Sequence, residues 1–363
     1  MVKIPVVNIV GVKTPVIFIQ GGLGIGVSLA RLASAVAQEG GIGTVSSAAL
    51  KHLHWKKYDQ RVGTREATRF EIVLAKANGG FVAINCMVAI TRDYKESVLG
   101  ALDAGVDAII SGAGLPLALP NIVNEYRLEH PDCSVALIPI VSSARALEAI
   151  FKHWERKSGR HPDAVVLEGP LAGGHLGFSF SDIDKEEHRL ENLFPAVKKF
   201  AKDHGDFSVI VAGGIFDNED IVRWVELGAD GVQLGSRFAA TFESNASAKF
   251  KQAIVNSKKG DIIVAQDPGS PCGLPFQVIK SSPGYLQKRR TDCTKGFLLQ
   301  QRKYSLFCPA KNNQKYFCIC NGLLAAIGIE ADLEPIYTIG AEGWRIKKIL
   351  SVKELMYELG IRH

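Results

Sequence analysis

The stretch VVLEGPLAGGHLGFSF (165–180) carries a single imidazole, His175, between Ala172-Gly173-Gly174 and Leu176-Gly177. Imidazole titrates near neutrality, so such a side chain can take or give a proton at working pH. Glycine costs conformational entropy on folding, and a cluster of it marks sharp backbone geometry or a large object pressed against the main chain. His175 therefore reads as a catalytic group, able to accept or donate a proton beside a bulky ligand. Glu168, just upstream, is a carboxylate with two roles open to it, a ligand contact or an orienter of the loop. The other eight histidines of the nine read as structural.

Two more sets of small residues follow β-branched apolar runs. Gly213-Gly214 end VIVAGG and Gly235-Ser236 end VQLGS. Bare amides meeting at such turns suit an anion, phosphate above all. Gln20-Gly21-Gly22, Asn85, Ser111-Gly112, Gly114 and Ser142-Ser143 also end or follow apolar runs. So many small residues suggest a wide, flat ligand held mainly through main-chain N–H groups. A ring system joined to a phosphate describes FMN.

The elements that must position these residues alternate regularly. Short apolar runs expected as strands are PVIFIQ (15–20), IGTVSS (42–47), FVAINCMV (81–88), AGVDAIISGAG (104–114), VALIPIV (135–141), DAVVLEG (163–169), FSVIVAGGI (207–215) and ADGVQLGSRF (229–238). Between them lie amphipathic helical stretches such as SLARLASAVAQEG (28–40), Arg65 to Ala77 and SARALEAIFKHWERK (143–157). Continuous apolar strands joined by helical crossovers imply a parallel sheet covered on both faces. Eight such units predict an α/β fold, a (β/α)8 TIM barrel whose chemistry sits on the loops after the strands. A doubly wound dinucleotide fold is the rival, and QGGLGIGVS offers it G-x-G at Gly22–Gly24 and Gly24–Gly26. No acidic residue closes the following strand, as that fold requires.

After residue 240 the rhythm breaks, and the chain is expected to divide into an FMN-binding barrel over 1–260 and a C-terminal elaboration over 261–363. The elaboration starts with an extended insertion, DIIVAQDPGSPCGLPFQVI (261–279), and ends with an amphipathic helix in SVKELMYELG (351–360). Cys293, Cys308, Cys318 and Cys320 gather there at spacings that match neither zinc nor iron–sulfur patterns. They are expected to be thiols, with no metal, although a metal-binding module remains a rival. Cys272, in GSPCGLP, is given no role.

The chain has 363 residues, 47% hydrophobic content and a formal charge of +6. Its basic residues are scattered, so no nucleic-acid partner is expected. An apolar start broken by proline and glycine does not read as a signal peptide, and no apolar run is long enough to span a membrane. Seven cysteines, an odd number in a long chain, suit a reducing compartment, so a cytoplasmic protein is expected.

PVIFIQGGLGIGVS, INCMV, AGVDAIISGAGLP, EGPLAGGHLG, VIVAGGI and GADGVQLGSRF together resemble, in order, the nitronate monooxygenase family, formerly called 2-nitropropane dioxygenase. FMN-dependent enoyl-ACP reductases belong to the same superfamily. The resemblance covers about residues 15–280 and, more weakly, the C-terminal helices. It implies an FMN-bearing barrel with His175 as catalytic base. It also implies FMN contacts at Asn85, Glu168, Gly173, Gly214, Gln233, Leu234, Gly235 and Ser236, with the main chain of Gly21 and Gly22 under the ring system. Two positions depart from the family pattern: Leu23, where methionine is common, and Glu168, where glutamine is. The implied reaction converts an alkyl nitronate or nitroalkane, with O2, to a carbonyl compound and nitrite. The competing expectation is an NAD(P)H-dependent reductase of enoyl thioesters or quinones on the same flavin. A homodimer is also compatible with the resemblance.

Overall fold

The computed structural model describes residues 2–286, 300–302, 305–310, 313–330 and 332–362. Eight parallel strands close into a barrel: β1 Ile17–Gln20, β2 Ile42–Ser46, β3 Phe81–Met87, β4 Ala108–Gly112, β5 Ala136–Val141, β6 Ala164–Glu168, β7 Ser208–Ala212 and β8 Gly231–Leu234. Ring order follows chain order, and β8 pairs with β1 to complete the circle. The expected TIM barrel is therefore present.

Side chains alternate across each strand, so one sequence fills two cores. Inward positions such as Ile19, Ala83, Ile110, Ile138, Val166 and Ile210 pack the barrel centre and are fully buried. Outward positions such as Phe18, Ile84, Ile109 and Val209 pack against the surrounding helices, among them α1 Ala30–Gln38 and α6 Ala144–Ser158. Ser143 begins α6 by accepting a hydrogen bond from the Ala146 amide, and Gly159 ends it in the left-handed conformation.

Several boundaries move. The run 104–114 yields a strand only over 108–112, because Ala104 caps the preceding helix and Gly105 turns the chain. Asn85, expected at the end of its strand, lies within β3, which continues to Met87. The run 229–238 is a strand only to Leu234, and Ser236–Ala239 forms a helical turn. A helix that the sequence pattern did not reveal, α2 Leu50–Tyr58, precedes α3 Thr64–Lys76. It buries only Leu50, Leu53 and His54, so KHLHWKKY shows no apolar stripe.

The C-terminal elements pack at two places on the barrel. Ile262–Ala265 (β9) and Phe276–Ile279 (β10) form an antiparallel pair, which β10 extends by pairing with Gly174–His175. Ile319–Ala326 forms a helix beside it. Ile361–Arg362 pairs with Asn8–Ile9, after a helix at Val352–Glu358 fixed by a Ser351/Glu354 capping box, and Asn218, which begins the helix after β7, donates to the Val10 and Leu359 carbonyls beside that pair. Cys293 lies outside the described residues. Among those described, no group of three or more His, Cys, Asp or Glu side chains converges. No described helix is long and apolar enough to cross a membrane.

Gly43 marks where α1 lies directly on β2, since a Cβ there would overlap the Ala33 carbonyl. Backbone cannot yield as a side chain can. Gly43→Ala is therefore expected to lower unfolding stability by about 1–3 kcal/mol. Gly63→Ala, with nothing within 4 Å of the added carbon, should stay within about 0.5 kcal/mol of the parent. Urea midpoints of the two variants check this.

Candidate active site

The C-terminal ends of the strands open into a cavity of about 870 Å³. Asn85, Glu168 and Gln233 share the inward face with Ala83, Val166 and Gly231, because each lies two residues further along its strand. Register places Glu168 beside Ala212, and Ala212 beside Gln233, so the two polar side chains flank β7 at one height. The barrel is thus apolar through its centre and polar at its mouth. The loop after β1 crosses that mouth. Gly21 lies against the Gln233 side chain, and a Cβ on Gly22 would run into Asn85.

His175 reaches the cleft on an edge strand. Phe276 is its ladder partner and meets its ring edge-on, centroids 4.8 Å apart. Its Nε2 lies 2.7 Å from Ser270 Oγ, and Ser270 is buried. Thr338 Oγ1 accepts from the Gly174 amide at 3.1 Å and donates to the Gln277 carbonyl at 2.6 Å, tying the loop to the C-terminal segment. Gly173 faces Gly340 so closely that a Cβ on either would meet the other's backbone. The glycines around the imidazole are therefore required in part by the protein's own chain.

Loss of water shifts the two titratable groups in opposite directions. Burial pushes the Glu168 carboxyl up to about 7, and it makes no hydrogen bond to another described residue. Burial pushes the His175 imidazole down to about 4. At neutral pH the imidazole is uncharged and can accept a proton, while Glu168 is poised between acid and carboxylate.

On the β7–β8 side the rim is bare backbone. Gly213 and Gly214 have φ of 96° and 85°, a region that other residues adopt with strain. The amides of Gly213, Gly214, Gly235 and Ser236 form no hydrogen bond to another described residue. Ser236 Oγ instead accepts from the Gly340 amide at 2.7 Å. The Arg237 guanidinium nearby is held by the Phe216 carbonyl at 3.0 Å and by Glu358 at 2.9 Å.

Of the residues singled out from the sequence, Gly21, Gly22, Asn85, Glu168, Gly173, His175, Gly214, Gln233, Leu234, Gly235 and Ser236 line this one cavity, whereas Gln20 and Ser111 do not: Gln20 Oε1 accepts from the Thr44 amide and Ser111 Oγ donates to the Cys86 carbonyl, both fully buried. Sequence reasoning missed Phe276, Ser270, Thr338 and Gly340. The glycines of TIGAEG (338–343) were the available signal, since they too mark a close backbone approach.

The fold is that of a TIM-barrel protein, with this cleft at the C-terminal rim of its strands. The family model described as nitronate monooxygenase matches residues 4–360, and the chain belongs to that family. A "Probable nitronate monooxygenase" of Staphylococcus saprophyticus is 29% identical over 173 residues, 48% of this chain and 44% of that protein. One from Staphylococcus haemolyticus is 39% identical over 102 residues, 28% of each chain. The chain thus spans less than half the length of these curated relatives. Among solved structures, FabK from Thermotoga maritima has a TM-score of 0.67 at 21% identity, covering 94% of this chain and 90% of its own. Nitroalkane oxidase from Streptomyces ansochromogenes has a TM-score of 0.65 at 19% identity, covering 94% of each chain. Both share the fold.

The raised Glu168 value makes a signed prediction. Its folded value lies above the ordinary 4.5, so the folded state binds the extra proton and loses stability as pH rises from about 4.5 to about 7. In the apoprotein, Glu168→Gln should match the parent below pH 4.5. Above pH 7 it should be more stable, by on the order of 2 kcal/mol. Urea unfolding at the two pH values decides it, and an equal offset at both would remove the desolvation account.

Proposed function

We propose that this protein is an FMN-dependent oxidoreductase that oxidises alkyl nitronates, and nitroalkanes after deprotonation, to carbonyl compounds and nitrite with O2. One observation carries the reading. A family member's barrel mouth brings an uncharged imidazole into the same cavity as a rim of uncommitted main-chain amides.

The residues present fit FMN. The amides of Gly213, Gly214, Gly235 and Ser236 would hold the phosphate, charge meeting N–H dipoles. Gln233 Oε1 is buried with no partner among the described residues, which suits an acceptor for a ring N–H. Asn85 and Glu168 offer further polar contacts at the mouth, and the Gly21–Gly22, Gly173 and Leu234 main chain leaves room for a flat ring. When bound, FMN supplies the electron transfer between substrate and O2.

The chain's own share is positioning and proton transfer. A neutral nitroalkane carries an acidic α-proton, and His175 would remove it at a ring nitrogen. Burial favours the uncharged base beforehand, and Ser270 Oγ at 2.7 Å fixes the ring's orientation. A nitronate arrives already deprotonated and needs no base.

A second reading has one observation in its favour. Among the described lining residues Arg237 is the only arginine or lysine, and it is already bonded to Glu358 and Phe216. A neutral enoyl thioester, reduced with NAD(P)H, would not need a cation there.

His175→Ala should lower nitroalkane turnover by about 10²–10⁴-fold and leave nitronate turnover within a few-fold. Equal losses on both would remove the base role. The acid limb of kcat/KM for a nitroalkane should fall near pH 4, where the imidazole becomes protonated, rather than near 6.5. Anaerobic mixing separates the two readings: rapid flavin bleaching by NADPH or NADH would favour the reductase.

A further inference from the structure

We propose that Ser270 is a positioning residue that fixes the tautomer of His175. It holds the neutral ring with its proton on Nε2, leaving Nδ1 as the nitrogen that exchanges a proton with substrate. This rests on the reading of His175 as the proton-transferring group. The two ring nitrogens differ in their surroundings. Nε2 lies 2.7 Å from Ser270 Oγ, whereas Nδ1 makes no hydrogen bond to another described residue. His175 lines the cavity and Ser270 does not, so the Nε2 bond is made into the wall. A half-turn of the ring would put carbon where Nε2 stands, and the buried Ser270 hydroxyl would lose this partner, at a cost in stability.

The direction of the bond follows from the hydrogens available. Ser270 Oγ accepts from the Cys272 amide at 3.3 Å, and the Cys272 side chain also bonds to Ser270. With its own hydrogen turned to that sulfur, the hydroxyl keeps a lone pair for an N–H donor. Burial leaves the imidazole uncharged at neutral pH, so it carries one hydrogen. Free neutral histidine already favours Nε2 for that hydrogen, and the partner of one nitrogen sets the role of the other. Ser270 reaches this place through the C-terminal elaboration and not the barrel. The neighbouring Gly269 donates to the Lys315 carbonyl at 2.8 Å and accepts from the Phe317 amide at 3.1 Å. On the other side the Gly273 amide closes a turn onto the Ser270 carbonyl at 3.0 Å, and the Pro275 carbonyl accepts from the Leu176 amide at 2.9 Å. The elaboration therefore supplies the group that selects which nitrogen of the barrel's imidazole is free.

The test is nitrogen NMR of FMN-loaded protein labelled at the histidine rings, with His175 assigned by its loss in His175→Ala. At neutral pH the parent should show a protonated Nε2 and a bare Nδ1, well separated in shift. In Ser270→Ala the two signals should move toward each other as the tautomers mix, and Ser270→Thr, which keeps the hydroxyl, should restore the separation. Nitroalkane kcat should fall about tenfold or more in Ser270→Ala, part of the roughly 10²–10⁴-fold that a positioned base supplies. KM and FMN affinity should stay unchanged, which a general loosening of the fold would not allow. A proton on Nδ1 in the parent overturns the assignment, with no variant needed. So does a Ser270→Ala spectrum identical to the parent's. Nitroalkane turnover by His175→Ala separates the two claims. A Ser270-dependent Nε2 proton in a protein whose turnover survives His175→Ala upholds the hold on Nε2 and removes the base role. An Nδ1 proton in a protein whose turnover requires His175 does the reverse.

Discussion

Burial of the Glu168 and His175 side chains at the barrel mouth is the constraint on which the rest of this cleft depends. In bulk water Glu168 and His175 would have ordinary affinities for protons, and the glutamate would be an anion at neutral pH. Within the cleft both drift toward their uncharged forms, the glutamate up to about 7 and the imidazole down to about 4. No ion pair produces this, because burial is the only cause acting on either group.

The walls of the cleft come from distant parts of the chain. The loop after β1 covers part of the mouth, and the Gly174–His175 strand is clamped by β10 on one side and by Thr338 on the other. Close approach of one main chain to another then demands glycine. Gly22 clears Asn85 and Gly173 clears Gly340. A glycine-rich rim has two causes here, room for a ligand and room for the protein itself, and the sequence pattern alone suggested mainly the first.

How far the architecture was legible depends on how local its cause is. Strands such as Ala136–Val141 and Ala164–Glu168 are buried on both faces, so composition alone marks them to within a residue. The turn from the helix Thr91–Asp103 into β4 misled, since AGVDAIISGAG is mostly apolar and small while its first residues end that helix. Helix α2 was invisible because its KHLHWKKY surface is held by three buried residues and by pairs such as Lys51–Asp93 at 2.8 Å, which no periodicity records. Phe276 and Ser270, about a hundred residues from His175, were missed because strand pairing in three dimensions, not spacing, brings them to it.

The sequence by itself determined the barrel, the rim on which small residues gather and the identity of the single imidazole among them. These follow from side-chain type and two- or 3.6-residue periods, which are properties of neighbours along the chain. Tertiary structure decided which side chains share the mouth, how deeply they are buried and which way the proton affinity of each titratable group moves. Those are consequences of register and packing between segments far apart in sequence, and proton affinity is set by the surroundings that such packing creates.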